Sequence, residues 1–188
     1  SFYPAKVLGC LGDGGMIVTN EESVYDKLLL IRDHGRNKEG QIVLWGRNSR
    51  LDNLQAAYLN FFLDRYYEKW INHRKLITQI YDRILEEVPD VVIPKYNSRA
   101  NHISVYQNYE IQVSKRDEVQ AFLKSHGVGT LKQWNGIGIH QSNIIGVSSD
   151  LHRADKFFKS YLMLPLNHII SESEAEIVAS LVRKFKSE

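Results

Sequence analysis

Residues 1–20 read SFYPAKVLGCLGDGGMIVTN, and this stretch decides how the rest of the chain is interpreted. One lysine, Lys6, lies between a turn at Pro4 and a glycine-rich turn over residues 12–15. The apolar run at residues 16–19 predicts a β-strand. A lone lysine is usually a solvated surface charge. Here its neighbours in the sequence are mostly apolar, which predicts a partly buried amine that favours the uncharged form and can attack an aldehyde.

The glycine-rich turn has two interpretations. Gly14 and Gly15 can take positive φ angles, which tight turns between strands often require. The turn suits a cradle for a phosphate group, and it suits a plain hairpin turn at least as well. The sequence contains no GxxxxGK[ST] motif, so it does not support a nucleoside-triphosphate loop.

A second motif, GRNSRLDNLQAA, spans residues 46–57. Asn48 and Arg50 offer an amide and a planar guanidinium, and both groups suit anion binding. The same block also suits a helix N-terminus, with Asn48 or Ser49 as the cap and Arg50 in an ion pair. Candidate partners for that ion pair are Asp33 and Asp52. The two interpretations are compatible with each other.

The two motifs together resemble a known family. Residues 1–20 are similar to the Schiff-base lysine segment of the pyridoxal phosphate (PLP)-dependent nucleotide-sugar aminotransferases of the DegT/DnrJ/StrS type. Residues 46–57 resemble the family motif G-[YF]-N-S-R-[LM]-D-x-[LI]-Q-A-A, with Arg47 as a departure where the family has an aromatic residue. The resemblance implies an α/β fold of PLP fold-type I, present here as the tail of the large domain and the small C-terminal α+β domain.

The resemblance also implies an activity and the residues that perform it. The activity is transfer of an amino group from an amino acid, glutamate in the family, to a keto-deoxy nucleotide sugar (EC 2.6.1 class), as in O-antigen and other polysaccharide biosynthesis. Lys6 would be the catalytic residue that holds PLP covalently, and Ser1 would contact the PLP phosphate. Asn48 would reach that phosphate from a neighbouring subunit, which implies a homodimer, and Arg50 would bind substrate. The family carries about as much chain again upstream, so residues 1–188 are expected to be an incomplete enzyme.

Spacing and turn signals divide the chain into three parts. Residues 1–52 are predicted to end the PLP-binding domain. Apolar residues at three- and four-residue spacing predict one or two long helices over residues 53–88, which we assign as a connecting helix. A turn-rich connector then opens a small domain at residues 89–188. Within that domain, alternation over residues 104–113 predicts a half-buried strand, and Ser114 is the predicted cap of the helix after it.

A glycine-rich loop at residues 135–141, with Trp134 beside it, is the second candidate binding segment. Trp134 can stack on a sugar or a base, and His140 can hydrogen-bond a hydroxyl or a phosphate. In the resembling family the corresponding loop lies near the substrate, often with a histidine. A surface loop that is packed by its own tryptophan is an equally good interpretation.

Composition excludes several classes of function. The chain has 24 basic and 22 acidic residues among 188, a balance that argues against a nucleic-acid binder. The seven histidines fall in no HExxH or Cys/His spacing, so no metal site is predicted. No apolar run reaches the roughly 18 residues of a membrane span. The single cysteine, Cys10, favours a reducing compartment, and the cytoplasm is the predicted location.

A second function is compatible with the same residues. The chain can be a non-catalytic module that dimerises or binds a sugar nucleotide or PLP without turnover. Some relatives of the family are dehydratases with a histidine at the position of Lys6, and the lysine favours the aminotransferase over that branch. The sequence does not specify the sugar, the ring position or the pathway.

Overall fold

The computed structural model describes residues 1–95, 104–142 and 150–187. The chain divides into two compact units, Ser1–Glu68 and Lys69–Glu188. None of the helices in these described ranges combines the length and the apolarity that a membrane span requires.

The first unit is built around helices α1 (Glu22–Ile31) and α2 (Asn53–Arg65), which are joined by turns and isolated β-bridges. Helix α2 begins where the Asp52 carboxylate accepts a hydrogen bond from the Leu54 N–H at 2.8 Å. The cap is therefore Asp52, and the prediction of Asn48 or Ser49 as the cap was wrong. An aspartate two residues before an unpaired N–H is in the ordinary capping position, whereas Asn48 takes part in a β-bridge with Asp33.

The strand predicted at residues 16–19 does not form. These residues have no assigned secondary structure, and Met16, Ile17 and Val18 are strongly exposed. A strand requires a neighbour that pairs with its N–H and C=O groups, and the first unit, which is described throughout, provides none. The apolar side chains that predicted the strand are therefore left uncovered within this unit.

The first unit has a small core. Over residues 1–68, all of which are described, the buried apolar side chains are Val7, Cys10 and Leu59. Trp45 is 98% exposed, and no residue of α1 is buried. The local conformation of this unit therefore depends mainly on backbone hydrogen bonds and close glycine contacts rather than on apolar burial.

The helical segment predicted over residues 53–88 consists of two helices rather than a single connecting helix. Helix α2 ends before Tyr66, whose φ of −128° is not helical, and α3 spans Tyr67–Leu85. The Tyr66 ring lies 5.8 Å from Phe61 and 5.5 Å from Phe62 between centroids. This aromatic packing accompanies the break in the helix, which the spacing of apolar residues does not reveal.

The second unit contains an antiparallel sheet in the order β1–β2–β3, formed by Val91–Val92, Tyr109–Val113 and Tyr161–Leu164. The register pairs Tyr109 with Leu164, and Gln112 with Tyr161. The strand predicted over residues 104–113 thus begins only at Tyr109, although its alternation of buried and half-buried residues is as expected. The predicted connector at residues 89–101 lies partly outside the described residues.

Helices α4 (Arg116–Ser125), α5 (His152–Ser160) and α6 (Glu172–Ser187) complete the second unit. Its core is formed by apolar side chains of α3, α4, α6, β2 and β3, among them Tyr81, Leu123, Ile111, Leu162 and Val182. The sheet and helices form the predicted α+β unit. Because most large apolar residues of this unit contribute to one cluster, it has the core that the first unit lacks.

Two helix starts in the second unit differ in how their N–H groups are satisfied. Helix α6 begins with a capping box, in which Glu174 accepts from the Ser171 N–H at 2.8 Å and Ser171 Oγ accepts from the Glu174 N–H at 3.2 Å. Ser114 does not cap α4 as predicted, because the residue before the helix is Lys115 in a left-handed conformation. The Ser114 hydroxyl instead accepts a hydrogen bond from Lys186 Nζ at 2.6 Å.

Candidate functional site

Lys6 lies on a closed loop, which we call the lysine loop and define as residues 1–15. The Lys6 N–H donates to the Tyr3 carbonyl at 2.8 Å. The Cys10 N–H donates to the Phe2 carbonyl, and the Phe2 N–H donates to the Gly14 carbonyl, both at 2.7 Å. These three backbone bonds hold the two ends of the loop together and define the path of the chain on either side of Lys6.

Two glycines of the lysine loop are needed because the backbone passes close to other atoms. A Cβ at Gly9 would lie 2.8 Å from the carbonyl oxygens of Tyr3 and Pro4. A Cβ at Gly14 would lie 2.5 Å from Cys10 Sγ. Gly14 and Gly15 could take positive φ angles, but neither glycine does so. The glycines at positions 9 and 14 are therefore explained by close packing, and not by a left-handed backbone.

The Lys6 side chain is exposed, which corrects the expectation that its apolar neighbours bury it. The closed loop turns Val7 and Cys10 inward, while Tyr3 and Leu11 are 54% and 71% exposed. Apolar side chains that are adjacent in sequence thus leave Lys6 exposed. In the first unit the Lys6 amine is therefore accessible to an aldehyde.

Asn48 and Arg50 lie together in a charged cluster with Asp33 and Arg36. Arg50 Nε donates to Asn48 Oδ1 at 3.1 Å, and Arg50 NH1 lies 3.7 Å from Asp33 Oδ1. Of the two predicted partners of Arg50, the structure therefore selects Asp33. A hydrogen bond from Arg36 lowers the pKa of the Asp33 carboxyl, against a smaller opposing effect of burial. Because the Asn48 oxygen is used by Arg50, the remaining donor of that amide is its NH2 group.

A groove of about 780 Å³ lies beside the lysine loop in the first unit. Its lining includes Ser1, Arg32, Ser49 and apolar residues of α1 and of residues 16–18. The hydroxyl groups and the guanidinium suit a phosphate, so this donor set fits part of PLP. Lys6 and Asn48 are not among the lining residues, and neither is any carboxylate that could pair with a pyridinium nitrogen. The first unit therefore brings together only a part of the predicted cofactor contacts.

Trp134, in the second unit, is presented to solvent by a constrained loop. Trp134 is 81% exposed. Trp134 and Asn135 have left-handed backbone conformations, with φ angles of 54° and 55° respectively. The Tyr161 hydroxyl donates to the Gln133 carbonyl, and Lys132 Nζ lies 2.8 Å from Asp117 Oδ1. The exposed indole thus follows directly after two residues, Lys132 and Gln133, that are anchored to other parts of the second unit.

His140 is placed differently from Trp134. Its side chain is only 6% exposed, and Nε2 lies 2.9 Å from Asp155 Oδ1. The hydrogen bond from His140 is the main cause that lowers the pKa of Asp155. The structure therefore presents Trp134 outward and holds His140 inward, with Nδ1 as the only imidazole nitrogen left for a further contact.

The anchor of the Trp134 loop should be sensitive to acid. Hydrogen bonds from Arg116 and Lys132 lower the pKa of Asp117 to about 2 from 3.8. A lowered carboxyl pKa contributes stability above about pH 4 that is lost as the pH falls toward about 2. We expect this contribution to be under about 1 kcal/mol because solvent screens the exposed carboxylate. The test is to compare the free energy of unfolding of wild type and Asp117→Asn at pH 2, 3, 4 and 7: their difference should shrink below pH 4, and a constant difference would contradict the prediction.

Asp150, His152 and Asp155 offer three potential metal ligands within 4.8 Å of one another. Sequence analysis did not single them out, because their spacing matches no ligand motif. Asp155 Oδ1 already accepts hydrogen bonds from His140 and Gln141. Lysine side chains line the same cavity, so its charge opposes a cation. We therefore do not propose a metal site at these three residues.

Gln55 is a residue that the sequence analysis passed over. It lies in the second motif, and its Oε1 accepts a hydrogen bond from the Leu11 N–H of the lysine loop at 2.9 Å. Its place within a motif was a signal that could have drawn attention to it. Its partner, 44 residues away, could not have been read from the sequence.

The chain is similar in sequence to proteins of one known family. Residues 1–183 match the DegT/DnrJ/EryC1/StrS aminotransferase family. The chain is 35% identical to a pleiotropic regulatory protein of Geobacillus stearothermophilus, over 98% of this chain and 50% of the relative. It is 33% identical to the UDP-2-acetamido-2-deoxy-3-oxo-D-glucuronate aminotransferase of Pseudomonas aeruginosa, over 96% of this chain and 49% of the relative. The chain thus spans about half the length of the curated relatives that it matches.

Solved structures give the same result for the fold. The crystal structure of a DegT DnrJ EryC1 StrS aminotransferase from Brucella abortus is similar with a TM-score of 0.89 and 29% identity, over 100% of this chain and 50% of that chain. Streptomyces venezuelae DesV, solved in complex with a ketimine intermediate, is similar with a TM-score of 0.91 and 28% identity over the same shares.

Proposed function

The chain belongs to the DegT/DnrJ/EryC1/StrS aminotransferase family, and we propose that the whole protein transfers an amino group from an amino acid to a keto group of a nucleotide-linked sugar. The observation that carries this proposal is Lys6, an exposed amine on a closed loop inside a segment that matches the family. Relatives named as UDP-sugar and dTDP-sugar aminotransferases support a nucleotide sugar as the acceptor. By the resemblance to the family, glutamate is the proposed donor.

Lys6 is the proposed catalytic residue. Its Nζ would hold PLP covalently, and it would move the proton at the substrate carbon that bears the amino group. When bound, PLP supplies an electron sink for that carbon. The backbone hydrogen bonds of the lysine loop fix the conformation of the segment that carries Lys6. They thereby limit the positions that Nζ can take.

Ser1 and Asn48 are the proposed contacts of the PLP phosphate. Ser1 lines the groove beside the lysine loop, which supports this role for its hydroxyl. Asn48 is not in that groove, and its NH2 group is oriented by the bond between its oxygen and Arg50. By the resemblance to the family, we assign Asn48 to the active site of a second copy, so the protein would act as a homodimer in which Arg50 contacts substrate.

Trp134 is the proposed stacking residue for the pyrimidine base of the substrate, with His140 Nδ1 as a hydrogen-bonding group nearby in the loop. The relatives that carry UDP and dTDP in their names make a pyrimidine nucleotide the natural probe. We expect Trp134→Ala to weaken binding of UDP or dTDP about 10- to 100-fold, the usual worth of one aromatic stacking contact. Trp134→Phe, which keeps a ring, should lose less than about fivefold.

Isothermal titration of the whole protein with each nucleotide measures this prediction. Leu131→Ala is the matched control. Leu131 lies three positions before Trp134, and its side chain is exposed and apolar but has no aromatic ring. Equal affinities for wild type and Trp134→Ala would remove Trp134 from the binding site.

Covalent trapping tests the proposed function itself. The whole protein is mixed with PLP, reduced with borohydride and analysed by peptide mass spectrometry. A PLP adduct at Lys6, together with glutamate-dependent amination of a keto sugar nucleotide, is the expected result. An absence of adduct at Lys6 would reject the aminotransferase mechanism.

A second function is favoured by one specific observation, the similarity to a protein named as a pleiotropic regulatory protein. On this alternative the chain belongs to a non-catalytic module that binds a sugar nucleotide or PLP, or that dimerises, without turnover. Nucleotide binding without any amination would favour it. In either case we propose that the protein is cytoplasmic and acts in polysaccharide biosynthesis. The similarity to the spore coat polysaccharide biosynthesis protein SpsC of Bacillus subtilis supports this pathway. The identity to SpsC is 24%, over 97% of this chain and 52% of the relative.

A further inference from the structure

The lysine loop is tied to helix α2 by one side-chain hydrogen bond. The Leu11 N–H donates to Gln55 Oε1 at 2.9 Å, across 44 residues of sequence. Backbone hydrogen bonds within the loop join Lys6 to Tyr3, Cys10 to Phe2, and Phe2 to Gly14. Gln55 therefore gives the loop a point of attachment outside residues 1–15.

Apolar packing does not hold the loop at this position. Leu11 is 71% exposed, so its side chain contributes little burial. At Gly12 a Cβ would lie 3.7 Å from Gln55 Nε2, which shows that the loop backbone runs directly past the glutamine amide. The contact at residues 11 and 12 is thus polar, and it depends on the Gln55 side chain.

Gln55 is itself well placed to act as an anchor. It is the third residue of α2, within the first turn that Asp52 caps. Leu51, just before that cap, lies against the loop at Gly14, because its Cδ1 would be 3.1 Å from a Cβ there. The start of α2 thus contacts the lysine loop at two places, and Gln55 supplies the hydrogen bond.

We infer that Gln55 is a positioning residue for Lys6: its side-chain oxygen holds the lysine loop on α2 in the conformation that presents the amine. The inference rests on the proposed function, since it assigns Gln55 a role in the capture of PLP by Lys6. Gln55 touches neither cofactor nor substrate in this assignment. Its effect passes through the Leu11 N–H and the backbone bonds of the loop.

The chemistry of the contact defines the variants. Gln55→Glu keeps an acceptor oxygen at the same distance from the backbone, and a carboxylate is favourable in the first turn of a helix. Gln55→Leu has nearly the same shape and a high helix propensity but no acceptor. Asn60→Leu is the control, because it makes a comparable polar-to-apolar change at an exposed position of the same helix.

Two measurements on the whole protein test the inference. The first is the rate at which PLP and borohydride label Lys6, followed by peptide mass spectrometry. The second is hydrogen exchange of the Leu11 amide, together with the melting temperature. We expect Gln55→Leu to slow labelling about three- to tenfold and to speed Leu11 exchange by a similar factor, which is the worth of one hydrogen bond. Gln55→Glu and Asn60→Leu should stay within about twofold of wild type.

The outcomes separate positioning from a merely structural role. Slower labelling and faster Leu11 exchange at an unchanged melting temperature support the inference. Wild-type labelling in Gln55→Leu overturns it, even if the Leu11 amide exchanges faster. A lower melting temperature with faster exchange throughout the first unit also overturns it, because Gln55 would then only stabilise the fold. If wild type itself is not labelled at Lys6, the proposed function has failed before any substitution is compared.

Discussion

Lys6→Arg should abolish transamination while the protein remains folded. The guanidinium keeps the positive charge, but it stays protonated at neutral pH and cannot attack an aldehyde. It also cannot accept and return the proton that the reaction moves, and proton transfer by a positioned group alone is worth about 10²–10⁴-fold. We therefore expect amination of a keto sugar nucleotide by glutamate to fall at least about 10³-fold. The borohydride-trapped adduct at residue 6 should disappear.

Lys27→Arg is the matched control for this experiment. Lys27 is an exposed lysine of α1 in the same unit, and no role is assigned to it. It should leave both amination and the adduct at Lys6 unchanged. Because Lys6 is exposed, the melting temperature of Lys6→Arg should also equal that of wild type. Appreciable turnover in Lys6→Arg would show that another group performs the chemistry.

Leu162→Ala should have the largest effect on stability. Leu162 is fully buried in β3, where it pairs with Ile111 of β2, and it belongs to the core formed with α3, α4 and α6. Truncation removes apolar contacts and leaves a cavity that neighbouring strands cannot fill, which costs about 2–5 kcal/mol of the free energy of unfolding. Urea unfolding followed by circular dichroism measures this loss.

The same substitution at an exposed leucine provides the comparison. Leu131 is 66% exposed, so Leu131→Ala should change the free energy of unfolding by less than about 0.5 kcal/mol. Its backbone bridge to Met163 does not involve the side chain and should persist. A loss below about 1 kcal/mol in Leu162→Ala would mean that the core repacks around residue 162 more freely than close packing allows.

Local patterns predicted the elements of the second unit well and those of the first unit less well. The alternation at residues 109–113 is a short-range signal, and the structure confirms it. The run at residues 16–19 carries an equally good strand signal but forms no strand. The difference is that β2 has partners on both sides, whereas residues 16–19 have none within their unit.

The same distinction applies to the candidate site. Lys6 and Asn48 were found because they lie inside contiguous motifs, and the family assignment that those motifs implied is confirmed. The burial expected for Lys6 was wrong, because neighbours in sequence are not neighbours in space once the loop closes. The roles of Ser1, Lys6, Asn48, Arg50, Trp134 and His140 remain predictions with the tests given above.

The sequence by itself determined the available chemistry and the family: a lysine amine in one motif, and an amide and a guanidinium in another. The tertiary structure alone decided which of these groups meet. It paired Arg50 with Asp33, held His140 against Asp155 and placed Gln55 on the Leu11 N–H. Each of these contacts joins residues that are 14 or more apart in the chain. Such contacts depend on how the backbone returns on itself, and a short hydrogen bond requires a precision of position that no local pattern of residues encodes.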